Sequence, residues 1–144
     1  MSQTTWSGPL ASGDINAGKT GGPNIGLALL SQTVLINFDA TLVQNGTVYL
    51  PYKSQIVDII VDVLTQYDSA TSATLSVGTS SAATTYASGV NVKTGIRVLP
   101  TFTAAQLAAM DDIGTNGTVV ATVTSVGQPT VGQVRVTYRY VQTT

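Results

Sequence analysis

An antiparallel all-β domain is the fold class this sequence predicts: a β-sandwich of jelly-roll-like form, with one short helix and an extended N-terminal arm. Runs of strand-forming residues recur at short spacing from residue 33 onward, turn dipeptides and prolines separate them, and helices do not alternate with the strands as a parallel sheet requires. The 144 residues suffice for one core. The expected division is an arm over residues 1–30 and a sandwich over 31–144.

The longest run, Gln55–Thr65 (QIVDIIVDVLT), organises the rest. Period-two alternation puts Val57, Ile59, Val61 and Val63 on a wholly apolar core face. Ile56, Asp58, Ile60, Asp62 and Leu64 fall on the opposite face, where two carboxylates among aliphatics suit partial cover by a neighbour.

Ahead of that strand, Gly8, Pro9, Gly13, Gly18, Gly21, Gly22, Pro23 and Gly26 are too dense for a helix or a central strand, so this part of the chain reads as an extended arm. It still carries Trp6, Leu10, Ile15, Ile25 and Leu27, which need a surface to cover, on this domain or on a neighbouring subunit. Gly13–Thr20 (GDINAGKT) matches the phosphate-loop spacing. No apolar strand precedes it, however, and Gly21-Gly22-Pro23 stops a helix where one should begin, which argues against a nucleotide site. Thr33–Phe38 is the first sandwich strand. TLVQ-NG-TVYL (Thr41–Leu50) reads as a hairpin turning at Asn45-Gly46 and ended by Pro51.

Beyond the organising strand, Ala73–Val77 is a short strand and residues 78–88 form an uncharged loop bearing Tyr86, a composition that suggests contact with another surface. Gly89–Leu99 reads as a strand bent at Gly95. Thr101–Met110 is the one helix, with Thr103 as N-cap. Asn116-Gly117 signals a second tight turn, Thr118–Ser125 alternates as a strand, and Val131–Val141 closes the chain, with Tyr138 and Tyr140 on the apolar face beside Val134 and Val136.

Charged residues make up 9% of the chain, against about a quarter in ordinary soluble proteins. With a formal net charge of -1, the surface must be built from Thr, Ser, Asn, Gln and Gly, and little self-repulsion keeps copies apart. Such a surface suits packing against other chains. Three Lys and three Arg give no basic footprint for nucleic acid. No apolar run is long enough for a membrane helix and no signal peptide opens the chain, so the expectation is a protein made in the cytoplasm.

Cys, His and Glu are absent, which removes thiolate and imidazole metal sites, the Ser-His-Asp triad and the commonest general base. Seven Asp are the only side-chain carboxylates. As a hard-cation site, Asp58 with Asp62 supplies too few oxygens, and Asp111-Asp112 with Asn116 reads better as a solvated turn. A glycosidase would need a raised-pKa acid across a sugar cleft, for which one Trp and Asp alone offer little. The expectation is therefore a non-enzyme with no cofactor. A structural use of the charges fits better. Asp58 and Asp62 lie four apart on one strand, as do Arg135 and Arg139 on the last, so one antiparallel register sets Asp58 opposite Arg139 and Asp62 opposite Arg135.

The phrases TLVQNGTVYLPYKSQIVDIIVDVLTQYDSATSATLSVGT, YASGVNVKTGIR and PTFTAAQLAAMDDIGTNGTVVATVT, together with the opening TTWSGPLASG, resemble small virion structural proteins of tailed bacteriophages. Among these the chain is most similar to capsid decoration, or cement, proteins. The resemblance implies a β-rich, non-enzymatic homotrimer on the capsid surface that binds and stabilises the major capsid protein lattice, with Trp6, Leu10, Ile15, Ile25 and Leu27 of the arm among its contacts. A glycan-reading module on a head fibre or tail, using the 78–88 loop, and a neck or tail component are the alternatives.

Overall fold

A computed structural model describes residues 11–13 and 25–142. The arm contributes a small antiparallel ribbon of its own, β1 (Ala11–Gly13) against β2 (Ile25–Leu27), in register Ala11↔Leu27. The arm is thus not extended loop throughout: two of its short segments pair with each other and stay separate from the sandwich sheets. Trp6, Leu10 and Ile15 lie outside the described residues.

Eight strands build the sandwich: β3 (Leu30–Asn37), β4 (Val43–Tyr49), β5 (Ser54–Thr65), β6 (Ser72–Gly78), β7 (Ala87–Asn91), β8 (Arg97–Val98), β9 (Thr118–Val126) and β10 (Gln133–Gln142). One sheet has the order β3-β10-β5-β8 and the other β4-β9-β6-β7, with every neighbour antiparallel. The pairs β3–β10, β4–β9, β5–β8 and β6–β7 are nested, as in one long hairpin closed at β6–β7. Rolling that ribbon lays its successive strand pairs in alternate sheets, and the β5–β10 and β6–β9 ladders stitch it to itself.

The inner faces pack as alternation requires. Ile59, Val61 and Val63 of β5 and Val134, Val136 and Tyr138 of β10 meet Leu75 and Val77 of β6 and Val119, Ala121 and Val123 of β9, all buried. The hydroxyls of Tyr67 and Tyr138 find no hydrogen-bond partner among the described residues, and burial alone pushes the Tyr138 phenol well above its ordinary pKa.

Helix α1 (Ala104–Asp111) starts at a capping box. Thr103 Oγ1 accepts the Gln106 N–H at 3.3 Å and Gln106 Oε1 accepts the Thr103 N–H at 2.9 Å. Gln106 Nε2 also donates to Thr84 O at 3.1 Å, which ties the helix to the 79–86 loop.

Three expectations about the sandwich strands are corrected. Asn45-Gly46 is not a turn: β4 runs straight through it, pairing Asn45 with Thr122 and Gly46 with Ala121 of β9. A Cβ on Gly46 would stand 2.8 Å from side-chain atoms of both Val34 and Ile36, so glycine is there to let the two sheets approach. Asn45 points outward and accepts the hydroxyls of Ser81 (3.0 Å) and Thr122 (2.8 Å). Second, Val57 is exposed, not in the core. Arg139 pairs with Asp58 while Tyr140 pairs with Ile56, so a β-bulge at Val57 shifts the alternation and Ile56 takes the buried place.

Third, Gly89–Leu99 is not one strand. β7 belongs to the second sheet and β8 to the first, and the chain crosses between them through a turn in which Asn91 Oδ1 accepts the Lys93 N–H at 2.8 Å. The loop between β6 and β7 is tied to its own sheet: the Ala82 N–H donates to Thr122 Oγ1 at 2.9 Å, and Tyr86 is buried with its N–H on Val77 O.

Gly46→Ala should lower stability by about 1–3 kcal/mol in urea denaturation, as overpacking does. Adding Val34→Ala should recover part of that loss, because it clears the space; strictly additive losses would contradict the close approach of β3 and β4.

Candidate functional site

Strand β5 is central to the first sheet, so its outward side chains are flanked on both sides. From the bulge onward Asp58, Ile60 and Asp62 face out, and the antiparallel register sets Arg135 opposite Asp62 and Arg139 opposite Asp58. On the other flank β8 sets Arg97 beside Asp62. The row Leu35, Arg135, Asp62, Arg97 therefore crosses the whole sheet.

Asp62 is only 7% exposed, and both of its oxygens are taken. Arg97 grips it in a fork, Nε to Oδ1 at 2.6 Å and Nη2 to Oδ2 at 3.2 Å. Arg135 does the same on one oxygen, Nη2 to Oδ2 at 2.8 Å and Nε at 3.3 Å. The Arg97 hydrogen bonds, then those of Arg135, hold the Asp62 carboxyl down at about 2, against the opposing effect of burial.

Both guanidinium groups remain largely in water, with side chains 62% and 44% exposed, so each keeps donors for a partner while its orientation is fixed. Asp58 behaves differently. It accepts the Ile59 N–H at 2.9 Å and forms no ion pair with Arg139 opposite, which leaves the Arg139 side chain exposed beside the locked pair.

Aliphatics interleave with these charges. Ile96 is 83% exposed, and Leu35, Leu64 and Val57 are each about half exposed on the same side. A shallow hollow of about 390 Å³ lies between Asp62, Leu64, Ile96, Arg97 and Arg135. All three arginines of the chain and two of its seven aspartates stand on this one face, giving it a surplus of positive charge on a chain whose net charge is -1.

Of the residues singled out in the sequence, the structure joins Asp62 with Arg135 and aligns Asp58 with Arg139. Within the arm, Leu27 is partly exposed on β2, and Ile25 lies on the same strand. The oxygen-rich turn does not converge on a cation site: Asp111 accepts from Gln55 Nε2, Asp112 from the Gly114 N–H and Asn116 from the Thr118 hydroxyl. Among the described residues no group of three acidic side chains could hold a metal. The sequence reading missed Arg97 and Ile96, because their place depends on the sheet crossing after Asn91; the signal was Gly95, where the strand pattern breaks. It also missed Tyr49 and Tyr52, two exposed rings flanking Pro51. No protein-family model, no curated protein and no solved structure matches the chain.

Because the folded-state pKa of Asp62 is depressed, its contribution is present above the ordinary carboxylate pKa of about 4 and is lost as pH falls toward 2. The upper limit is about 2.5 kcal/mol, reduced by solvent around the arginine heads. Asp62→Asn should remove that stretch of acid dependence and leave two cations facing each other. The charge swap Asp62→Arg with Arg135→Asp should restore only part of the stability lost in either single change, since Arg97 would then face the cation introduced at position 62; full rescue in thermal unfolding would contradict a three-membered cluster.

Proposed function

We propose that the chain is a non-enzymatic structural protein of a bacteriophage virion, a capsid decoration protein that binds the major capsid protein lattice through the outer face of the first sheet. The carrying observation is that face: three arginines, two of them oriented by a carboxylate they share, set among exposed Ile96, Leu64, Leu35 and Val57. Exposed aliphatics of this number, interleaved with preoriented guanidinium groups, are the composition of a protein-docking surface, where Arg is enriched and the aliphatic area supplies the affinity.

The nested strand order supports reading the sandwich as a jelly roll, an architecture used by viral capsid and lectin domains. The resemblance of its phrases to small tailed-phage virion proteins points the same way. The low charge fits an oligomer, for which a trimer is the proposed state, resting on contacts that moderate salt leaves intact. On a shell, many modest contacts act together, so each copy needs only a standard interface of roughly 1,600 Å² or less to reinforce the lattice.

The test is cosedimentation of the full chain with empty capsids of the phage that encodes it. Ile96→Asp and Arg139→Glu both lie outside the Asp62 contacts, so folding should survive, and each should weaken capsid binding at least about tenfold. Unchanged binding by both variants, or binding to host cells and not to capsids, would overturn this reading.

A further inference from the structure

We infer that the open mouth of the sandwich, between the end of β4 and the ends of β3 and β10, is a binding site for a neutral saccharide. The site is distinct from the arginine face and does not depend on the capsid reading. It is a cleft of about 470 Å³ lined by Gln32, Tyr49, Pro51, Tyr52, Tyr140 and Gln142. That volume lies within the range of roughly 300–1,000 Å³ typical of small-ligand sites.

The tyrosines carry the argument. Tyr67, Tyr86, Tyr138 and Tyr140 are all buried, whereas Tyr49 and Tyr52 are 71% and 70% exposed. Two exposed rings lining one cleft form an aromatic surface open to a ligand, and tyrosine offers a rigid amphipathic contact at small entropic cost.

Their display is built into the backbone. The Ser54 N–H and hydroxyl both donate to Pro51 O, at 3.3 and 2.7 Å, closing a tight turn over residues 51–54. Lys53 sits in that turn at φ 55°, a left-handed conformation that favours glycine or asparagine, and its N–H is fixed to Gly114 O at 2.8 Å. The Leu50 N–H is fixed to Gly117 O at 2.8 Å. Tyr52 thus projects from a strained, doubly anchored turn and Tyr49 from the last residue of β4.

The remaining lining selects the ligand class. Apart from the phenols, no titratable side chain among the described residues lines the cleft, so its described lining suits a neutral ligand. Gln32 and Gln142 each offer a donor and an acceptor. A pyranose presents a C–H face suited to a tyrosine ring and a rim of hydroxyls suited to amides. A proline-rich peptide would also use aromatic rings; the two side-chain amides beside the rings favour the hydroxyl rim of a sugar, and the peptide serves as the contrast ligand.

The experiment is ¹H–¹⁵N NMR titration of the full chain with methyl α-glucoside, methyl β-galactoside, N-acetylglucosamine and lactose, with a proline-rich peptide for contrast. At least one of the sugars should bind at millimolar concentration and shift the resonances of Tyr49, Tyr52, Gln32 and Gln142. Tyr49→Ala and Tyr52→Ala should each weaken that binding about tenfold, while Tyr52→Phe retains most of it. Because both rings are exposed, the variants should keep the wild-type spectrum elsewhere. No shift with any of the sugars, shifts that the alanine variants leave unchanged, or binding of the peptide alone would overturn the inference.

Discussion

The ladder between β5 and β10 is the constraint on which the rest of this domain depends. It joins the middle of the chain to its end and places each strand at the centre of the first sheet, so that of the strands between them β6, β7 and β9 go to the second sheet and only the short β8 returns to the first. A one-residue slip in this ladder would turn Val134, Val136 and Tyr138 outward and bury the arginines. Asp62 makes such a slip costly. Its carboxylate is buried and is satisfied only when Arg135 lies opposite and Arg97 beside it, so register, the placement of the short strand β8 and the orientation of the exposed face follow from one side chain.

Local chemistry was legible where the signal and its cause lie in adjacent residues. The capping box at Thr103 and Gln106, the strands at 54–65, 118–126 and 133–142, and the charge spacing that aligns Asp62 with Arg135 could all be read from order and spacing. The two Asn-Gly pairs show where that stops. At Asn116-Gly117 the glycine has φ 60°, as a turn requires. At Asn45-Gly46 the same dipeptide runs inside a strand, because Gly46 answers to Val34 and Ile36 in the opposite sheet, residues that no local pattern associates with it.

The site shows the same division. The aspartate and its partner on β10 were visible as matching four-residue spacings, while Arg97 joined them only through a sheet crossing. The bulge at Val57 reversed the expected burial of Val57 and Ile56 because a single unpaired residue changes the alternation without changing the composition. Exposed Tyr49 read in the sequence as an ordinary strand residue and Tyr52 fell in the break after Pro51; the open end of the sandwich leaves both uncovered.

A protein with so few charges places two of its three arginines where a shared carboxylate orients them, and all three stand on one sheet face. If that face docks on a shell, the molecule has a fixed attitude: first sheet down, second sheet and its threonine-rich outer surface away. The most direct test is a cryo-EM reconstruction of capsids saturated with the full chain, at a resolution that orients the sandwich. Arg97, Arg135, Arg139 and Ile96 should lie in contact with capsid subunits. A density in which the outer face of the first sheet is open to solvent, with another surface against the shell, would contradict it.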